Sequence, residues 1–136
     1  MNIYTKHIVE FMAAKQARLK TVVPYFNYFN NNDMEYIQSL PENTVKKIWN
    51  ILKETISDNY YFNSGLTTET CPFCILNQYI KNNSTCKSCN YHKNHGGFHQ
   101  DGCSVDFING FNKNYMKIAM ALSKTWYKKI IREIDK

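Results

Sequence analysis

The stretch that decides the fold is Ser39–Ile56, "SLPENTVKKIWNILKETI". Val45, Ile48, Trp49, Leu52 and Ile56 recur at three- and four-residue intervals, which puts them on one stripe of a helix with 3.6 residues per turn. Ser39 precedes Glu42 by three residues and a proline stands between them, a pairing that marks a helix start. Lys46, Lys47 and Lys53 fall near acids and read as a solvated face. One amphipathic helix of this kind needs partners to cover its stripe, so the flanking sequence must supply them.

Upstream, Ile8, Phe11, Met12 and Leu19 repeat the helical spacing, which predicts a first helix from about Ile3 to Lys20. Pro24 interrupts it, and the aromatic run with Tyr25, Phe26, Tyr28 and Phe29 reads as a core plug before an Asn-rich turn. A short helix is expected over residues 33–40. Downstream, the last 25 residues lie on a wheel with Tyr115, Ala119, Leu122, Trp126, Ile130 and Ile134 on one side, flanked by Met116, Met120 and Tyr127. Lys113, Lys117, Lys124, Lys128, Arg132 and Lys136 fall on the other side. One continuous basic, amphipathic C-terminal helix is the expectation.

Gly and Pro are scarce, at 5 and 3 of 136 residues, which favours helices over a turn-rich β-sandwich. The fold class expected is mostly α: one small helical domain over 1–136, with a helical part at 1–66, a Cys/His-rich segment at 67–106 and the basic helix at 107–136. No apolar run approaches the length of a membrane span, and the N-terminal residues mix charge with apolar positions. The sequence thus predicts a cytoplasmic protein without a membrane partner.

The middle segment, Cys71–Cys103, holds all five cysteines and three of the four histidines. Cys71/Cys74 and Cys86/Cys89 are two Cys-x2-Cys units eleven residues apart. Each unit can bring two thiolates to one ion from a tight turn, and four thiolates close a tetrahedron, so a structural zinc knuckle is the expectation and an iron–sulfur cluster the alternative. A reducing compartment and an odd cysteine count argue against an all-disulfide scheme. A short helix is predicted from about Cys71 to Ile80, capped by Thr67 or Thr68. His92, His95, His99 and Cys103 follow Cys89 at helical intervals and are further possible ligands, unless Gly96 and Gly97 break the helix.

Enzyme readings fare less well on these residues. "CPFC" resembles the redox turn of glutaredoxin-like proteins, but no βαβ pattern surrounds it. A nucleobase deaminase needs a His-x-Glu that the chain lacks. His92, Asn94 and His95 resemble part of an HNH nuclease site, packed too closely for that hairpin-and-helix arrangement. No catalytic residue and no small-molecule substrate are assigned. The order Cys-Pro-x-Cys, Cys-x2-Cys, Cys over residues 71–103 resembles small proteins of bacteriophages and mobile elements, with Asn90 where a proline often follows the second pair. That resemblance implies a metal-binding, virus-encoded protein acting in a host cytoplasm, and it implies no activity.

Charge is the remaining signal. The net charge is +6, and residues 81–136 supply all of it, with ten basic groups against four acids. Lys113, Lys117, Lys124, Lys128 and Arg132 are the expected contacts to nucleic acid, widened by Lys81, Lys87 and Lys93. With Arg18 and Arg132 the sole arginines, bidentate base readout is disfavoured. The alternative partner is a host protein: the chain would then act as a stoichiometric inhibitor of a host defence or nucleic-acid enzyme, in the manner of anti-CRISPR proteins, by occupying its DNA or RNA channel or by a helix laid in a groove.

Overall fold

Three helices, the first and third built on the expected apolar stripes, form the centre of the computed structural model, which describes residues 1–22, 24, 28–58, 70–83, 88–95, 117 and 120–136. Helix α1 spans Ile3–Lys20, α2 Asn31–Ser39 and α3 Glu42–Asp58. Further along the described residues come α4 at Pro72–Ile75, continued by a π-helical turn at Leu76–Ile80, α5 at Asn90–Asn94, and α6 at Lys124–Ile134. No strand is present among the described residues, and none of their helices is long and apolar enough to cross a membrane.

Helix α1 starts where Asn2 Oδ1 accepts a hydrogen bond from the Thr5 backbone N–H at 2.9 Å, which satisfies one of the orphan donors of the first turn. Its buried face carries Ile8, Phe11, Met12 and Leu19, as their spacing predicts, and adds Thr5, Lys15 and Gln16. Helix α2 begins two residues earlier than expected. Asn30 and Asp33 form a reciprocal capping box there, with Asn30 Oδ1 accepting from Asp33 N–H at 3.0 Å and Asp33 Oδ2 accepting from Asn30 N–H at 2.9 Å.

The stripe of α3 is buried in full: Val45, Ile48, Trp49, Leu52 and Ile56 are each at most 1% exposed. Its start corrects the sequence reading. Ser39 closes α2 instead of capping α3, its Oγ donating to the Tyr36 carbonyl at 2.6 Å. The first turn of α3 hangs from the Pro41 carbonyl, which accepts from Thr44 and Val45 N–H at 3.0 and 3.1 Å. A proline just outside the helix fits because its missing N–H has no partner to lose.

Helices α1, α2, α3 and α6 enclose the core, and two aromatic clusters fill it. Phe11 packs against Trp49 and Tyr127 with ring centroids 6.4 and 6.2 Å apart. Tyr28, Phe29, Phe73 and Tyr91 form the second cluster, with Tyr36 stacked on Phe73 at 5.9 Å. The aromatic run after Pro24 is therefore a core plug at Tyr28 and Phe29, while Tyr25 and Phe26 lie outside the described residues. Lys15 joins the two clusters. Its Nζ is fully buried, 5.8, 5.4 and 5.2 Å from the Phe11, Tyr28 and Tyr127 ring centroids, where the ring quadrupoles favour a cation.

The C-terminal helix differs from the single element expected. The chain turns at Leu122, and Ser123 restarts it, its side-chain oxygen accepting from Trp126 N–H at 3.3 Å. The restart puts the buried line of α6 on Tyr127 and Ile131, with Trp126, Ile130 and Ile134 only half-buried; before the break, Met120 stands 73% exposed. Tyr115, Met116 and Ala119 lie outside the described residues. Asp135 fastens the far end of α6 to α3: its carboxylate accepts from Trp49 Nε1 and from Lys53 Nζ, both at 3.1 Å.

Candidate functional site

The cysteine segment begins at a point fixed by α1. Lys15 Nζ donates to the Thr70 carbonyl at 3.2 Å and lies 3.4 Å from its Oγ1. The next residue, Cys71, is the N-cap of α4, and Pro72 occupies the first helical position, where its fixed φ suits a helix start. Cys71 is a buried free thiol and Cys74, one turn on, is half-buried. The cap predicted at Thr67 or Thr68 is thus taken by Cys71 itself, and both threonines lie outside the described residues.

Beyond Ile75 the helix widens into the π turn, closed by Lys81 N–H on the Leu76 carbonyl at 2.9 Å. Asn77 holds the exit. Its Nδ2 donates to the Asn83 carbonyl at 3.0 Å, its own carbonyl accepts from Asn83 N–H at 2.9 Å, and its Oδ1 accepts from Ser88 Oγ at 3.3 Å. Asn82 turns the chain with φ 52°, a left-handed conformation that Asn tolerates better than most residues. In the second pair it is the second cysteine that stands at a helix start: Cys89 is buried and is the N-cap of α5.

Of the four candidate ligands after Cys89, two are described. His92 is buried on α5. His95 closes that helix, its ring stacked on Tyr91 at 4.0 Å and its Nε2 2.8 Å from Asp33 Oδ2. Asp33 is fully buried and also accepts from Asn94 Nδ2 at 2.7 Å, so one carboxylate serves the cap of α2 and the end of α5 together. With Nε2 turned to Asp33, His95 could bind a metal only through Nδ1. Cys86, His99, Cys103 and Lys87 lie outside the described residues. Among the described residues no three His, Cys, Asp or Glu side chains come together to hold a metal ion.

The basic face is carried by α6. Lys124 and Arg132 are exposed, as is Lys117 before the break, while Lys128 is half-buried. Lys129, which the wheel left aside, has a side chain 69% exposed, and Lys136 is exposed as well. Lys113 lies outside the described residues.

One member of this face could not be found from spacing. Arg18, at the end of α1, donates from Nε to the Ala121 carbonyl at 3.1 Å and so stands beside the start of α6. The only sequence hint is that Arg18 falls off the apolar stripe of α1. Arg18, Trp126 and Lys129 line a cleft of about 350 Å³ between the two helices.

No protein-family model, no curated protein and no solved structure matches this chain.

Proposed function

We propose that this chain is a zinc-stapled helical domain that holds nucleic acid on the basic face of α6. The observation that carries the reading is the gathering of exposed Lys124, Lys129 and Arg132 on one short helix, with Lys136 just beyond its end and Arg18 brought beside its start from α1. Phosphate contact asks only for clustered cations with room to adapt, and lysine meets that demand without base specificity.

The zinc part of the proposal rests on the two Cys-x2-Cys units and on the placement of Cys71 and Cys89 at helix starts. Cys71, Cys74, Cys86 and Cys89 would hold the ion, with His92 or His95 as the substitutes for a thiolate. Four thiolates leave no open position, so the ion would order the segment between α3 and α6 and perform no chemistry.

The test is charge reversal. In Lys124→Glu, Lys129→Glu, Arg132→Glu, affinity for a labelled oligonucleotide should fall below detection while the far-ultraviolet dichroism of the helices is kept. Retained affinity in a folded triple variant contradicts the reading. Absence of any oligonucleotide binding by the parent protein, with binding to a host nucleic-acid enzyme, would favour the inhibitor alternative.

A further inference from the structure

The basic face explains phosphate contact, but it does not explain the half-buried indole that Trp126 presents at the start of α6. The cleft between the end of α1 and α6 is lined by that indole together with two cations, Arg18 and, one turn further along α6, Lys129. We propose that this cleft is a subsite for single-stranded nucleic acid, in which one unpaired base stacks on Trp126 while Arg18 and Lys129 take the neighbouring phosphates. The proposal rests on the nucleic-acid reading above and narrows it to a class of strand.

Three features support it. Trp126 is braced: its ring meets Tyr127 edge to face with centroids 5.1 Å apart, and Tyr127 is fully buried. A stacking platform of this kind loses little side-chain freedom when a base arrives. Arg18 is held at the mouth by its Nε bond to the Ala121 carbonyl, a bond that does not use the two terminal nitrogens of the guanidinium. Those nitrogens can meet a phosphate in the planar, forked geometry that lysine lacks. The lining is also mixed, apolar at Ile130 and polar at Thr125, which suits a ligand that has a flat apolar face and a charged backbone.

The opposing charge in the cleft is Glu133, which lies 4.0 Å from Lys129 with both side chains more than half exposed. A pair so exposed is weak, and a phosphate can displace it. The strand preference follows from geometry. Stacking on a protein ring needs a base with a free face, and a duplex keeps both faces of its bases in the stack. A half-buried tryptophan also shields Tyr127, and the two roles share one ring, so the experiment varies the ligand before it varies the protein.

The intact protein is titrated with a fluorescein-labelled deoxythymidine oligomer and with an abasic oligomer of the same length and charge, at one salt concentration. The thymidine strand should bind about tenfold more tightly than the abasic one, the scale of one stacked base, and should quench the tryptophan emission. Trp126→Phe should keep most of that ratio and Trp126→Ala should reduce it to near one. Equal affinity for the two strands in the parent protein overturns the stacking subsite while leaving the basic face in place. A ratio that survives Trp126→Ala overturns the assignment to this cleft. Absence of binding by either strand at low salt overturns the nucleic-acid reading itself.

Discussion

Arg18 Nε donates a hydrogen bond to the Ala121 carbonyl oxygen at 3.1 Å across 103 residues of sequence. The bond occupies a carbonyl next to the break between Leu122 and Ser123, where the helical ladder supplies no further donor, and it fixes a cation at the edge of the basic face. Arg18→Met should therefore weaken oligonucleotide binding several-fold and make the salt slope shallower by about one. Equilibrium unfolding of the same variant should move by about 1 kcal/mol or less, since the bond is only part-buried. A variant that loses its fold and its affinity together would assign Arg18 to structure alone.

Asp33 is the most heavily used carboxylate among the described residues, accepting from Asn30, Asn94 and His95 while fully buried. Asp33→Ala removes a capping box and takes the carboxylate from two half-buried partners, His95 and Asn94, the latter keeping its bond to Asn30, for a loss of about 2 kcal/mol in urea unfolding. Ser39→Ala, by contrast, removes one exposed bond to Tyr36 and should cost less than about 0.5 kcal/mol. Equal effects from the two substitutions would contradict the reading of how α2 begins and ends.

Asp135 gives the fold an acid-sensitive clasp. Burial acts to raise its pKa, but the hydrogen bond from Trp49, the hydrogen bond and charge of Lys53, and the charge of His7 together outweigh burial and hold it below the usual 3.8. The folded value lies under the unfolded one, so the carboxylate's contribution is present above about pH 4 and is lost as pH falls through the lowered value. With a side chain 39% exposed, solvent screening limits the contribution to about 0.5 kcal/mol. Asp135→Asn should be slightly less stable than the parent at neutral pH, with the gap closing below about pH 4. A gap that persists at pH 3 would place the effect in packing.

Zinc removal should act on the middle of the chain. Protein purified without added metal should carry about one zinc per chain. A chelator, Cys71→Ser and Cys86→Ser should each lower the thermal midpoint and raise amide exchange at residues 71–95 before it rises in α1 and α3. Unchanged melting in all three cases contradicts a structural ion, and iron with inorganic sulfide would make the cluster alternative the account.

Much of this fold was legible because its long helices bury their stripes simply. The i, i+3, i+4 positions of α1 and α3 name the core residues directly. The break at Ser123 was harder to read: "AMAL" has high helix propensity, no Gly or Pro follows it in "SKTW", and Ser123 announces a cap only if the preceding turn fails to continue. Ser39 shows the opposite ambiguity, since a serine between two helices can bond backward to one or forward to the other. Lys15 and Gln16 sit on the stripe of α1 yet are polar, so spacing alone gives them no partners. Those partners, Thr70 and Phe29, arrive from distant turns. Arg18 is the same case on the surface, because only the packing of α1 against α6 makes it part of the basic face.

The central claim is a phosphate-binding face, and its most direct measurement is the salt dependence of oligonucleotide affinity for the intact protein. If Arg18, Lys124, Lys129, Arg132 and Lys136 each displace a counterion from a single strand, log K should fall linearly with log salt at a slope of about −3.5. A slope near zero, or no binding even at low salt, would contradict it.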